Sequence, residues 1–84
     1  MVAGEAIVEC PSTYTINIIA GLFRNGTEVA DTGGTTYTNY FAMNVYEGCT
    51  VVGRYNAYQT QELWGISGIL QGGASSGYAF LHCQ

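Results

Sequence analysis

Thr13-Tyr14-Thr15-Ile16-Asn17-Ile18-Ile19-Ala20-Gly21-Leu22-Phe23-Arg24-Asn25-Gly26-Thr27-Glu28-Val29-Ala30 decides the fold class of this chain. Tyr14, Ile16, Ile18, Ala20 and Leu22 fall on one face of an extended strand, and Thr13, Thr15 and Asn17 on the other. That period of two marks a half-buried β-strand. Asn25-Gly26 then joins two apolar runs. It is the strongest short hairpin signal, because a type I′ turn needs positive φ at both central residues.

The same grammar continues on both sides. Residues 5–10 read as a short first strand with Ala6, Val8 and Cys10 on one face, ended by Pro11-Ser12. After the hairpin, Glu28 to Asp31 is a short return strand, and Thr32-Gly33-Gly34 turns the chain again. Residues 35–46 form a long strand with Tyr37, Phe41, Met43 and Val45 on one face and Tyr40, Ala42, Asn44 and Tyr46 on the other. Residues 49–58 alternate as well, Cys49, Val51, Gly53, Tyr55 and Ala57 against Thr50, Val52, Arg54, Asn56 and Tyr58. In residues 60–70, Leu63, Ile66, Ile69 and Leu70 have helical spacing. Gly65 and Gly68 oppose a helix at about 1 kcal/mol each, so the segment reads as a strand. Residues 71–77 read as a Gly/Ser loop, and residues 78–83 as a last strand. Turn signals at such short intervals predict an all-β fold: a small antiparallel sandwich, Ig-like or a small barrel, of six to seven strands.

Length makes this one domain, residues 1–84, with no internal repeat and no linker. A chain of this size buries only about 60% of the surface its unfolded form exposes, so a staple is expected. Cys10, Cys49 and Cys83 allow one internal bridge and one leftover thiol, and the loops the pairs would close are similar in stabilisation, about 3–4 kcal/mol each. No Cys/His cluster suits zinc, and no metal or cofactor is expected.

Composition narrows the setting. Charged residues make up 10% of the chain, with no lysine and only Arg24 and Arg54 as cations, against six acids. A surface covered by Thr, Asn, Ser, Gln, Gly and Tyr suits a secreted protein rather than a cytosolic enzyme kept soluble by mixed charge. Nucleic acid needs clustered cations, so it is not an expected partner. No apolar run reaches the ~20 residues that span a bilayer. Met1-Val2-Ala3-Gly4-Glu5 lacks the cationic start and apolar stretch of a signal peptide, and reads as a mature chain carrying an initiator Met.

Two stretches resemble small secreted bacterial proteins, chiefly actinobacterial. The first is Tyr14-Thr15-Ile16 followed by Leu22-Phe23-Arg24-Asn25-Gly26-Thr27-Glu28-Val29-Ala30; the second is Cys49, Gly53, Tyr55 and Ala57. The resemblance covers roughly residues 10–58. It implies an Ig-like sandwich in which Cys10 and Cys49 are bridged and Cys83 is unpaired or an alternative partner. It carries over no functional residues. The look-alikes often have more cysteines, which this chain lacks.

No catalytic constellation emerges. His82 is the single histidine, and its neighbour Cys83 would point to the opposite face of a strand, so the two do not make a dyad. Glu47, Arg54 and His82 are the residue types of guanyl-specific ribonucleases, without that family's local motifs. A hydrolase or ribonuclease using His82 is the residual enzymatic alternative. Gly72-Gly73-Ala74-Ser75-Ser76-Gly77 lacks the Lys and the helix of a phosphate loop. Asn25-Gly26-Thr27 is a formal glycosylation sequon, but the hairpin turn explains the same residues.

The expectation is therefore an extracellular, non-catalytic interaction or structural module. If residues 35–46 and 49–58 pair, Tyr40, Asn44, Tyr46, Arg54, Asn56 and Tyr58 share one sheet face, extended by Trp64. Tyrosine offers stiff area with a hydroxyl, suited to a protein partner or a glycan. The rival surface is an open strand edge that pairs with another copy. A lectin-like module and a small secreted effector or inhibitor are the alternatives.

Overall fold

The structure is a computed structural model and describes residues 2–48 and 55–82. Five antiparallel strands make up nearly all of it: β1 (Val2–Arg24), β2 (Thr27–Glu47), β3 (Tyr55–Ile66), β4 (Ile69–Ser75) and β5 (Ala79–His82). They form one sheet in the order β2-β1-β3-β4, with β5 also paired to β3. No described residue is helical.

Among the described residues there are five strands, and two of the breaks expected from the sequence are bridged. Pro11-Ser12 does not end β1. Glu9 pairs with Tyr40 and Tyr14 with Thr38, so residues 10–13 face a single residue of β2 and bend the hairpin without cutting it. Thr32-Gly33-Gly34 likewise stays in register, paired with Ala20, Ile19 and Ile18. The Gly/Ser stretch 71–77 is mostly strand: Gln71–Ser75 belongs to β4, joined to β3 by Ser67-Gly68. Ser67 (φ 52°) and Gly68 (φ 81°) repeat the geometry of Asn25 (φ 51°) and Gly26 (φ 83°), the backbone of a two-residue type I′ hairpin.

The bend at residues 10–13 creates the core. Ala6 and Val8 pack with Ile16, Ile18 and Ala20, and Val2 packs with Leu22, Val45 and Tyr58. Val2 and Leu22 are 20 residues apart, roughly 66 Å along a straight strand at ~3.3 Å per residue. The molecule is only 45 Å long, so β1 must double back and lay its first half over its second. Ile16, Ile18, Leu22 and Val45 are the largest fully buried side chains. Truncating any of them to Ala costs about 2–5 kcal/mol. Phe41, Met43 and Trp64 pack on this core, as does Cys10, whose thiol is free. Cys49 and Cys83 lie outside the described residues, and with the Cys10 thiol free the Cys10–Cys49 bridge that the resemblance implies is not seen.

Candidate functional site

The expected tyrosine face depends on pairing residues 35–46 with 49–58; of the latter only residues 55–58 are described, and they pair with β1 and β5 rather than with β2. β1 lies between β2 and β3. On β3, Tyr58 pairs with Arg24 of β1; on β2, Tyr40 pairs with Glu9. Tyr40, Asn44 and Tyr46 do form an exposed row on β2, opposite Phe41, Met43 and Val45 as their alternation requires. Asn56 and Tyr58 face inward and are buried, and Trp64 packs on the core beside Ile18, its cross-strand partner. Arg54 lies outside the described residues. The candidate residues thus divide between an exposed row and the interior. His82 ends β5, its backbone paired with Tyr55.

The inward residues build a polar seam at the hairpin end. Arg24 donates from Nη1 to Glu47 Oε1, an ion pair that ties the end of β1 to the end of β2. Burial, followed by the charge of Glu47, raises the Tyr58 phenol above its ordinary value, with Arg24 opposing both. Asn25 completes the seam. Its Nδ2 donates to Asn56 Oδ1 at 3.0 Å, its Oδ1 accepts from the Ala57 amide at 2.9 Å, and its own amide donates to the Ala57 carbonyl at 2.8 Å. The sequon asparagine therefore locks its turn onto β3. The signal for this lay in the pairing of β1 with β3, which no short motif carries.

One border of the sheet is also exposed and apolar. β4 and β5 lie on the same side of β3, pairing with residues 61–66 and 55–58 respectively, and together form one border of the sheet. Ile69, Leu70, Tyr78 and Phe80 are 67%, 66%, 62% and 71% exposed there. No charged residue and no proline occurs between Leu63 and Leu81. β2 forms the opposite border, and residues 32–46 within it also lack charge and proline.

No group of three or more His, Cys, Asp or Glu residues gathers as metal ligands among the described residues. Nor is any described helix long and apolar enough to cross a membrane. Comparison with known proteins found no matching family model, no matching curated protein and no matching solved structure.

Proposed function

We propose that this chain is an extracellular, non-catalytic structural module that joins copies of itself through the open edges of its sheet. The observation that carries this reading is the pair of open borders, β4–β5 on one side and β2 on the other, of which residues 69–81 and 32–46 carry no charge. An exposed edge strand is a template for another chain, and proteins that stay single blunt such edges with Lys, Pro or inward charge. Here neither border has a lysine or proline in those stretches. Of the acids, Glu28, Asp31 and Glu47 lie on β2 outside that stretch, Glu5 and Glu9 pair with Asn44 and Tyr40 of β2, and Glu5 and Glu62 lie beside Ala74 and Ser75 of β4. Residues 32–46 of one copy and β4 of the next can therefore pair without a charge on the pairing segments themselves. Because the two borders differ, joining β4 of one copy to β2 of the next extends one sheet without closing it.

Sedimentation velocity at tens of micromolar, with negative-stain images, tests this. The wild type should form large or polydisperse species, and a Leu70→Lys/Gln71→Pro variant should sediment as a monomer. A wild type that stays monomeric would overturn the reading. The extracellular part is tested by intact mass before and after reduction: a bridge, which would require the Cys10 thiol free in this structure to pair or Cys49 to pair with Cys83, would appear as two missing hydrogens, and three free thiols would count against it.

A further inference from the structure

The layer folded over the sheet is one strand short. Residues 2–9 of β1 pair with β2 along one side, and among the described residues no strand pairs with their other side. The layer beneath reaches further, because Gly4 lies over Thr60 of β3, and β4 and β5 continue that layer beyond β3. Ala79 and Leu81 of β5 pair with Tyr58 and Asn56, whose side chains are buried, so alternation turns them toward the missing cover. Leu81 is nevertheless 39% exposed. Between the free side of β1 and these residues run two adjoining hollows of about 270 and 230 Å³, which share Glu5, Thr60 and Ser76.

Shape and chemistry together select the occupant. An unpaired strand edge is a row of N–H and C=O groups that an extended peptide can join. A second folded copy brings two layers, and the overhang of β4 and β5 leaves no room for its lower one, whereas a single strand fits. At one end of the gap the lining is apolar: Val2, Leu22, Ala79 and Leu81. At the other it holds Glu5 and Glu62 with no described cation, and Oε2 of Glu62 is buried without a hydrogen-bond partner. A cation there gains charge-assisted partners, while a neutral or acidic side chain leaves the carboxylates covered and uncompensated. Tyr58 and Glu62 mark the two ends, four residues or about 13 Å apart along β3. We propose that an extended segment of a different protein enters this gap as a third strand beside β1. One apolar side chain covers Leu81, a small one passes over Thr60, and an arginine or lysine four residues from the first meets Glu5 and Glu62. This site is independent of the self-association proposed at the outer borders.

Fluorescence anisotropy tests this with two labelled peptides, acetyl-Thr-Leu-Thr-Ala-Thr-Arg-Thr-amide and the same residues in reverse order, each titrated with the full chain. The signal reads binding whether or not the chain assembles. One of the two peptides should bind in the micromolar to high-micromolar range, because a strand adds in one direction or the other. Replacing its Arg by Glu, or making Glu5→Gln or Leu81→Ser in the chain, should each weaken binding at least about tenfold. Two backbone-methylated forms, each blocking the amides along one edge of the peptide, should differ, and only one should lose binding. No binding of either peptide by about 1 mM of the chain, equal affinity for the Glu peptide, affinity unchanged in both variants, or methylated forms that bind alike would each overturn it. So would a peptide affinity that rises in Arg54→Gln, since the occupant would then be this chain's own arginine.

Discussion

Gly4 of β1 lies against Thr60 of β3, across the fold rather than along a strand pair. A Cβ built on Gly4 would overlap the Thr60 hydroxyl and come within 3.2 Å of both its Cβ and its Cγ2. Here the folded-over first half of β1 comes close to the sheet beneath. Gly4→Ala should cost about 1–3 kcal/mol through overpacking, a drop in Tm of roughly 4–8 °C per kcal/mol for a domain this small. Adding Thr60→Ala should recover part of the loss in a double-mutant cycle of thermal melts. Additive losses would mean the two residues do not meet.

The Asn25 turn separates backbone from side-chain effects. Asn25→Gly keeps the positive φ but removes the bonds to Asn56 and Ala57, and should cost about 1 kcal/mol. Asn25→Ala loses both and should cost about 1–2 kcal/mol more, as an L side chain without local hydrogen bonding is strained at that φ. Urea melts of the two variants check the order. An Asn25→Ala no worse than Asn25→Gly would count against the turn geometry.

Arg24 holds Glu47, whose second oxygen, Oε2, is buried without a partner. Arg24→Met should therefore destabilise by about 1–3 kcal/mol, because it leaves Oε1 as unpartnered as Oε2 already is. It should also raise the Tyr58 phenol further, since Arg24 is what opposes the burial and the Glu47 charge. Tyrosine absorbance between pH 9 and 12 would follow this, with one residue titrating later in the variant. An unchanged titration curve would separate Tyr58 from the ion pair.

Burial raises the Glu62 carboxyl above its ordinary value of 4.5. An acid with a raised folded-state value favours folding when protonated, and loses that advantage as pH rises through the folded value. Glu62→Gln should therefore melt above the wild type at pH 7, by less than about 1 kcal/mol for a half-buried group. The difference should vanish below about pH 4. A variant less stable at pH 7 would mean that the carboxylate has a partner.

Some of this was legible in the sequence and some was not. Ile16, Ile18, Ala20 and Leu22 alternate so cleanly that their burial follows from period alone, and Asn25-Gly26 names its own turn. Ser67-Gly68 forms the same turn from a weaker dipeptide, so residues 60–70 read as one strand when they are the end of one and the start of the next. The bend at residues 10–13 was invisible because proline usually ends a strand, whereas here it sits in the stretch left unpaired by the register shift. The tyrosine face failed for a different reason. Around residues 55–58 both alternating faces carry a tyrosine, so composition cannot say which turns inward. Pairing with β1 decides it and buries Asn56 and Tyr58.

The β1–β2 register also sets an order of events. Its first rung joins Arg24 to Thr27 and its last joins Val2 to Glu47, so sequence separation grows from 3 to 45 residues as the hairpin closes. Loop-closure entropy makes the short rungs form first and the long ones afterwards, each held by those before it. The ladder zips from Asn25-Gly26 outward, and the lap of Val2–Val8 over Ile16–Leu22 comes late. During synthesis, the segment that finishes the core leaves the ribosome before the strands it packs on. Its alternating apolar residues stay uncovered until Glu47 and then Thr60 have been made, and that interval is when the chain is most open to capture by a neighbour.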